Sequence, residues 1–444
     1  MYVNLTWTLE DPTTGEIEWH DAPYQIKSPS FSPQVDLSGN SMPAGEYTVD
    51  VILPEPLPGD LAACDLYDAL GQLWCAWPIR TAQYITETCL RITCASWLRR
   101  LEHRELEAVM YTGETAENAV ATCFGQAYAS HYTLDDALKN RTISGYCPAQ
   151  TARDRLLWLL FVLGAYTQDV YRDDVLITTV DDTATLIPLD KIFSRPSEKQ
   201  ADWVTGLKIT TYTFRQAATE EEWQADDSSY MFPLPWLATE QTFELSNPLA
   251  PSTAQPHVVE MDGIYLLNPN NVSDIAARLA KYWFNPAEVS LDCINNRAYK
   301  PGDMVTAYVT PERLVTGHIE QASFSFGVQA RSTLKLVGTE AIDGAKLVIS
   351  YTYQGGVIGR QTYYLPVGVT FTISNNYIDR IYQDRRYIYR PQSDTVTGTM
   401  VDGGLTVDQP CDLALEYRNE RLYVYSVDSI VKQGDSGTYT GVIT

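Results

Sequence analysis

Histidines and paired aspartates are the residues of this chain whose types could support acid–base chemistry. The five histidines are His20, His103, His131, His257 and His318. None of them stands in an HExxH motif, and no GxSxG nucleophile elbow occurs. Asp173-Asp174 and Asp181-Asp182 flank a short apolar segment, Val175–Val180. Paired carboxylates can hydrolyse glycosides, but pairs in this position are also the ordinary polar ends of a hairpin. The pattern favours a chain without catalytic activity.

The eight cysteines lack the spacing of a metal site. The shortest spacing is that between Cys89 and Cys94, and no CxxC pair occurs. A zinc site needs paired cysteine or histidine ligands at short spacing. The sequence also contains no phosphate-binding loop, dinucleotide fingerprint or EF-hand. We therefore expect reduced, buried thiols and neither a metal nor a cofactor.

A group of tyrosines and arginines near the C-terminus is a candidate partner-binding face. It comprises Tyr382, Arg385, Arg386, Tyr387, Tyr389 and Arg390. Aromatic and guanidinium groups are both enriched in binding surfaces, and they suit glycans or proteins. Tyrosine in a small β domain also serves as half-buried packing, so the sequence leaves both interpretations open.

Net charge excludes several classes of partner. The chain carries −24, and residues 345–444 hold 9 basic and 10 acidic side chains, so residues 1–344 carry −23. Such a body does not bind nucleic acid or an anionic membrane by simple attraction. The charge serves either solubility or the repulsion of a polyanion that passes along the surface.

Neither a membrane span nor a secretion signal is evident. The longest apolar run, Leu156–Leu163, is much shorter than the roughly 20 residues that a membrane helix needs. The N-terminus lacks the basic and apolar regions of a signal peptide. We expect a protein that is made in a cytosol and spans no membrane.

Strand segments surround a central helical block. Residues 1–60 alternate between extended segments and turns. Thr115 is predicted to cap one helix, and Thr133 is predicted to cap a short second one. Thr151 is predicted to open a third helix, apolar on all sides and hence buried, that ends at Gly164.

The later part of the chain is also predicted to be mainly β. Residues 215–256 are polar and contain several prolines, which predicts a long loop. Ser273 is predicted to cap a helix. Phe324–Leu336 alternates almost strictly between apolar and polar residues, which predicts one long strand with a buried face. Residues 345–444 hold 12 of the 29 tyrosines and show β patterns throughout.

Four sequence elements carry a family resemblance in their order and spacing. They are Tyr111-Thr112-Gly113 before a helix, Thr151–Leu156 running to Leu163-Gly164-Ala165, Val204–Ile209, and Gly302–Val305 followed by Gly317-His318-Ile319 and Phe324-Ser325-Phe326. Together they resemble the tail hub proteins of tailed bacteriophages and prophages, which are also called baseplate hub or tail-associated minor structural proteins. The resemblance covers roughly residues 1–340.

The resemblance implies an α+β, mainly β fold. Two hub-type β-barrel-like domains would carry a helical or mixed insertion. Residues 345–444 lie outside this resemblance and instead resemble the small β-grasp-like repeats of bacterial surface proteins, which implies a C-terminal small β module. The expected domains are 1–110, a first hub β domain completed by parts of 190–260; 111–190, the insertion; 191–340, a second hub β domain with one helix; and 345–444, the C-terminal module.

The resemblance also implies a structural role and no enzymatic activity. A homotrimeric ring would link the tail tube or distal tail protein to a tail tip, spike or receptor-binding protein. DNA would pass through its lumen without specific binding. The chain would be part of the virion, at the tail tip or baseplate, after assembly in the host cytoplasm, and would serve host attachment and DNA ejection. The alternatives are a glycan- or cell-wall-acting tail-associated enzyme and a bacterial adhesin.

Overall fold

The computed structural model describes most of the chain up to residue 342 and, beyond it, the backbone of a series of strands. The described residues are 2–11, 13–26, 30–68, 71–169, 171–187, 191–294, 296–310, 313–326 and 330–342, then 344–353, 356–366, 370–383, 386–401, 404–407, 413–418, 421–426 and 441–443.

Strands predominate over helices among these residues. The first strands are β1 (Tyr2–Glu10), β2 (Ile17–Gln25), β3 (Ser30–Phe31), β4 (Glu46–Ile52), β5 (Asp60–Tyr67), β6 (Leu73–Cys75), β7 (Ile79–Thr86), β8 (Cys89–Ala95), β9 (Glu105–Leu106), β10 (Val109–Thr115), β11 (Tyr132–Leu134), β12 (Thr142–Cys147), β13 (Gln150–Thr151), β14 (Ala165–Gln168), β15 (Val175–Thr179) and β16 (Thr185–Ile187). The later strands are β17 (Ser197–Gln200), β18 (Gly206–Gln216), β19 (Trp236–Ser246), β20 (Val258–Met261), β21 (Ala287–Ile294), β22 (Met304–Thr310), β23 (Arg313–Phe326), β24 (Ala330–Ile342), β25 (Gly344–Tyr353), β26 (Gly356–Pro366), β27 (Thr370–Gln383), β28 (Arg386–Val401), β29 (Gly404–Val407), β30 (Leu413–Arg418), β31 (Arg421–Ser426) and β32 (Gly441–Ile443). The α-helices are α1 (Ala116–Phe124), α2 (Asp136–Lys139), α3 (Ala152–Leu163), α4 (Glu220–Ala225) and α5 (Val272–Trp283).

The chain forms two compact units, and each is assembled from separate segments. The larger unit comprises residues 1–182, 197–303 and 318–339. The smaller unit comprises residues 183–196, 304–317 and 340–444. The four domains expected from the sequence stay predictions.

Two antiparallel sheets form a sandwich at the start of the larger unit. One sheet has the strand order β2–β1–β5–β6, and the other has the order β4–β8–β7. Alternate residues point inward, so Leu5 and Cys64 of the first sheet and Val51 and Ile92 of the second are fully shielded from solvent. The Tyr47 hydroxyl donates a 2.7 Å hydrogen bond to the Cys64 carbonyl oxygen and thereby ties the two layers together.

The helical block follows the sandwich, and two of its predicted caps are confirmed. The Thr115 hydroxyl accepts a hydrogen bond from the amide of Asn118 at the start of α1. The Thr151 hydroxyl accepts one from the amide of Asp154 at the start of α3. Helix α3 ends at Gly164, whose φ of 65° is left-handed. The local sequence therefore predicts the starts of both helices and the end of α3.

Helix α3 is buried on most of its surface, as predicted. Leu156 and Leu159 are fully shielded, and they pack against α1 and the neighbouring strands. Trp158 is only half-buried, with its ring edge-on to Tyr265 at 6.0 Å. The helix is therefore covered on all faces except the one that carries this tryptophan.

Two other predicted helix starts are wrong. Thr133 lies in β11, where its hydroxyl bonds Asp174, and Asp135 caps α2 instead. Ser273 lies inside the first turn of α5, which begins at Val272. Several residue types can cap a helix, and the sequence does not show which of two neighbours leaves the helical conformation.

The long loop predicted for residues 215–256 is also wrong. Strand β18 continues to Gln216, helix α4 follows, and β19 returns antiparallel to β18 over eleven residue pairs. Leu207 pairs with Leu245, and Ile209 pairs with Phe243. The middle of β19 is exposed on both faces, so its sequence lacks the apolar alternation that predicts a strand.

The single long strand predicted for Phe324–Leu336 is two strands. Strand β23 ends at Phe326 and β24 begins at Ala330, and the two are neighbours in one sheet. Residues 327–329 lie outside the described residues. Phe324 and Leu334 are both buried, so the alternation is correct in each half. The alternation of apolar and polar residues predicts which face of a strand is buried, but it does not predict where one strand ends and the next begins.

In the smaller unit, β16 runs parallel to β22. The hydroxyls of Thr306 and Thr316 are 2.6 Å apart in a fully buried hydrogen bond. Beyond residue 343 the described segments are all strands, with the strand orders β26–β25–β32, β27–β28–β29 and β30–β31. The chain is thus an α+β protein that is mainly β, as predicted.

Candidate assembly surface

The paired aspartates take part in ion pairs. Asp174 receives a 2.7 Å hydrogen bond from Arg172 and a further one from Thr133. Asp182 receives a 2.6 Å hydrogen bond from Lys281. The hydrogen bond and charge of Lys281 hold the pKa of Asp182 below its usual value. One carboxylate of each pair therefore stabilises the fold and is charged at neutral pH.

His318 lies beside this ion pair and is fully buried. Its Nε2 is 3.2 Å from an oxygen of Asp182, and its ring is edge-on to Tyr282. Burial and the positive charge of Lys281 lower the pKa of His318 to about 4, although Asp182 opposes the shift. The histidine is therefore neutral at pH 7 and is a structural group.

The other candidate ligands are also dispersed. The His131 ring stacks on Trp97 at 3.7 Å, and the His20 ring stacks on Trp7 at 5.8 Å. Seven cysteines are described, all as free thiols, and all but Cys89 are buried. Within the part of the chain that the structure describes, no cluster of histidine, cysteine and carboxylate side chains could hold a metal ion. In the same part, no helix is both long and apolar enough to cross a membrane.

The predicted tyrosine–arginine face lies in the β27–β28 hairpin. Across the two strands, Tyr382 pairs with Tyr387, Tyr389 with Arg380, Arg390 with Asp379, and Arg386 with Gln383. Arg385 lies outside the described residues. The hairpin brings the two halves of the group to adjacent positions, and its partner-binding role stays a prediction.

A surface that sequence reasoning missed lies at one end of the N-terminal sandwich. Twelve large apolar side chains are exposed in the described residues. Six of them belong to this sandwich, and we call their surface the Trp19 end: Leu9, Ile17, Trp19, Ile52, Tyr84 and Ile85. Trp19 is 67% exposed, Ile52 65% and Ile17 62%. The pairing of β1 with β2 puts Ile17 and Trp19 on the outer face of the first sheet, whereas Ile52 lies on the outer face of the second.

Strand pairing explains why these six residues share one end. The β1–β2 hairpin turns at Asp11, whose carboxylate accepts hydrogen bonds from the amides of Thr13 and Thr14. At the other sheet, the amide of Leu53 donates to the Thr88 carbonyl in the turn between β7 and β8.

A short connection then links the two sheets at this end. Residues 53–59 run from β4 to β5, and Asp60 at the start of β5 pairs with Thr8. The Leu57 amide donates a 2.8 Å hydrogen bond to the Tyr84 hydroxyl, which fixes the connection against β7. The distal part of the first hairpin and the end of β7 are therefore both at this end of the sandwich.

The segments that build the Trp19 end are acidic. Residues 8–19, 52–61 and 84–90 contain no lysine or arginine. Their seven carboxylates belong to Glu10, Asp11, Glu16, Glu18, Glu55, Asp60 and Glu87. Hydrogen bonds from backbone amides lower the pKa of Asp11 further. These segments therefore combine exposed apolar side chains with carboxylates.

No protein-family model matches the sequence, and no curated protein is similar to it. Among solved structures, the chain is similar to a tail protein from Neisseria meningitidis MC58, with a TM-score of 0.49 and 11% identity over 76% of this chain and 96% of that chain. It is also similar to prophage tail protein gp18 from Listeria monocytogenes EGD-e, with a TM-score of 0.48 and 10% identity over 76% of this chain and 94% of that chain. A third similar structure is the E. coli c3393 protein, a component of the type VI secretion system, with a TM-score of 0.39 and 10% identity over 91% of this chain and 97% of that chain. These three solved structures are thus two tail proteins and a secretion-system component.

Proposed function

We propose that this chain is a structural protein of a phage or prophage tail, in the position of a baseplate hub. Three copies form a ring that joins the tail tube or distal tail protein to the tail tip, spike or receptor-binding protein. The ring forms part of the DNA channel, and it is assembled in the host cytoplasm.

The observation that supports this proposal most directly is the position of the four sequence motifs in the fold. Gly302 of the fourth motif has a φ of 98°, and a Cβ at this position would overlap the ring of Tyr166. The Gly302 amide donates a 2.7 Å hydrogen bond to the Ile319 carbonyl, and the Ile319 amide donates a 2.9 Å bond to the Asp303 carbonyl. The two parts of this motif thus bond each other.

The other motifs also occupy positions that hold the larger unit together. The second motif ends α3, and the Phe161 carbonyl there accepts a 2.6 Å hydrogen bond from Arg278 of α5. The third motif begins β18, and the Val204 carbonyl accepts a 2.6 Å hydrogen bond from Asn247. The first motif continues from β10 into α1 through the Thr115 cap. The residues that carry the family resemblance are therefore residues that the fold requires.

The charge distribution is compatible with a channel for DNA. Each copy contributes −23 from residues 1–344. Carboxylates on an inner wall repel a phosphate backbone within a screening length of about 8 Å at physiological salt. DNA then moves past the wall without binding to it.

Purified particles test this proposal. We expect mass spectrometry to detect the chain in particles, at a copy number that is a multiple of three. We expect cryo-electron microscopy to place it between tube and tip, with carboxylates enriched on the inner wall. Absence of the chain from particles, or a stable monomer within them, would refute the proposal.

The enzyme alternative has less support from the described residues. Asp174 and Asp182, one from each aspartate pair, are engaged with Arg172 and Lys281. We expect the purified protein to release no soluble fragments from peptidoglycan. Release that is lost in an Asp173→Asn or Asp181→Asn variant would establish a hydrolase instead.

A further inference from the structure

We propose that Cys64 and Cys94 form a disulfide bond between the two sheets of the N-terminal sandwich once the chain has left the reducing cytoplasm of the host. Cys64 belongs to β5 of the first sheet, and Cys94 belongs to β8 of the second. The bond depends only on the sandwich, whereas the departure from the cytoplasm rests on the proposed function.

The two cysteine side chains meet in the space between the sheets. The Cys94 thiol donates a 3.9 Å hydrogen bond to the Cys64 carbonyl oxygen, so the Cys94 sulfur reaches across the gap to the backbone of Cys64. The Cys64 sulfur is joined to that backbone through one methylene group, and the two thiols are hydrogen-bonded to each other. Side-chain rotation and a small closing movement of the strands then bring the two sulfurs to bonding distance.

Neighbouring residues hold the two cysteines in this arrangement. Tyr47 pairs with Cys94 across β4 and β8, and its hydroxyl donates to the same Cys64 carbonyl oxygen. Leu5 pairs with Cys64 across β1 and β5. None of these four residues is more than 4% exposed. Formation of the bond therefore requires little rearrangement of the core.

A third thiol lies in the same core and makes a different contact. Cys75 is also fully buried, but its sulfur accepts a hydrogen bond from the backbone amide of Trp77. We therefore expect the bond to join Cys64 to Cys94 and to leave Cys75 as a free thiol.

Thiol–disulfide exchange with a small-molecule disulfide such as oxidised glutathione supplies the chemistry. One cysteine thiolate attacks a glutathione sulfur, which forms a mixed disulfide and releases one glutathione thiolate. The second cysteine thiolate attacks the protein sulfur of the mixed disulfide, which forms the Cys64–Cys94 bond and releases the second glutathione thiolate. The two protons of the cysteine thiols pass through water to the two released thiolates, so the small disulfide is reduced by the two electrons that the protein loses.

Burial controls the rate of this exchange. The hydrogen bond with Cys94 and burial raise the pKa of the Cys64 thiol well above its usual value, so little of the reactive thiolate exists at pH 7. Neither sulfur meets solvent while the sheets are closed. The exchange therefore occurs only when the sheets open locally, and the finished bond is shielded from reductants.

Oxidised glutathione added to the purified chain tests the inference. After incubation in urea below the unfolding transition, we expect a mass that is lower by two hydrogen atoms. Digestion with trypsin and then chymotrypsin separates Cys64 from Cys75, because Tyr67 and Trp74 lie between them. We expect the peptide with Cys64 to be joined to the peptide with Cys94. A link through Cys75, a persistent glutathione adduct or no link would overturn the inference.

Matched variants measure the effect of the bond on stability. Cys94→Ala cannot form the link, whereas Cys75→Ala retains both partners, and each variant loses one fully buried sulfur. Oxidation should raise the thermal midpoint by about 5 °C or more in the wild type and in Cys75→Ala, because the link restricts the unfolded chain. The midpoint of Cys94→Ala should not change. Equal midpoints before and after linkage would overturn the inference, and the peptide map of the wild type remains decisive if a variant does not fold.

The state of the thiols in particles separates this inference from the proposed function. N-ethylmaleimide under denaturing conditions captures every thiol that is still free. We expect it to label Cys64 and Cys94 in newly made chains and to find them linked in released particles. If the chain is absent from particles but the purified chain forms the link, the proposed function fails and the bond stands. If released particles contain the chain with both thiols free, the proposed function stands and the inference fails.

Discussion

Acidification is expected to destabilise the larger unit through His318. Burial and Lys281 lower the pKa of this histidine from 6.5 to about 4. The folded state therefore binds fewer protons than the unfolded state between these two values. The contribution of the neutral, buried His318 to the free energy of unfolding is therefore fully present above pH 6.5, and it is lost progressively as the pH falls toward 4. Each pKa unit corresponds to about 1.4 kcal/mol, so the full loss is about 3 kcal/mol.

Urea unfolding of matched variants isolates this contribution. Between about pH 7 and about pH 5, protonation of His318 should cost roughly 2 kcal/mol. His318→Gln removes the titrating group, so we expect it to lose less stability than the wild type over this interval by about that amount. His257→Gln replaces an exposed histidine, and we expect it to behave as the wild type. Tryptophan fluorescence at each urea concentration gives the free energy of unfolding.

The groups around His318 are part of the same argument. Asp182 favours the protonated ring, while Lys281 and burial against the neighbouring strands and Tyr282 oppose it. If the wild type and His318→Gln lose equal stability over this pH interval, burial does not determine the pKa of His318 and the reasoning is wrong. A pKa at or above 6.5 for His318 in the folded protein, measured by NMR, would refute it directly.

Three further substitutions have calculable outcomes. Leu159→Ala removes a fully buried side chain and should cost about 2–5 kcal/mol in urea unfolding, whereas half-buried Leu157 on the same helix should cost less when changed to alanine. Gly302→Ala should destabilise more than Gly15→Ala in thermal unfolding, because both have positive φ but only the first places its Cβ against a ring. Burial raises the pKa of Asp169 from 3.8 to about 6, so the free energy of unfolding should decrease as the pH rises from about 4 to about 6. Asp169→Asn should remove this decrease, which the urea midpoint measures at each pH.

Features that depend on a few neighbouring residues could be predicted from the sequence. The caps at Thr115 and Thr151 and the end of α3 at Gly164 follow from side chains that act within one turn. The hairpin of β18 and β19 could not be predicted, because β19 is held by its pairing with β18 and not by an apolar face of its own. Tertiary pairing overrides local polarity at this position.

The Trp19 end could not be recognised before the strand pairing was known. Its residues come from three segments, around Ile17, Ile52 and Ile85, that are separated by more than thirty residues each. A tryptophan in a strand pattern normally indicates the core, since aromatic side chains dominate core energetics. Only the sheet order places Trp19 on an outer strand. The sequence shows that each segment is acidic, and the structure shows that all three lie at the same end of the sandwich.

The segmented construction of the smaller unit has a consequence for synthesis of the chain. Residues 183–196 and 304–317 belong to the same unit as residues 340–444. During translation the first of these segments leaves the ribosome long before most of its unit exists, and closing such long loops is slow. The unit therefore completes folding only after nearly the whole polypeptide has been made. We expect a chain truncated at residue 340 to keep the pairing of β16 with β22 and to lack only the later strands of their unit.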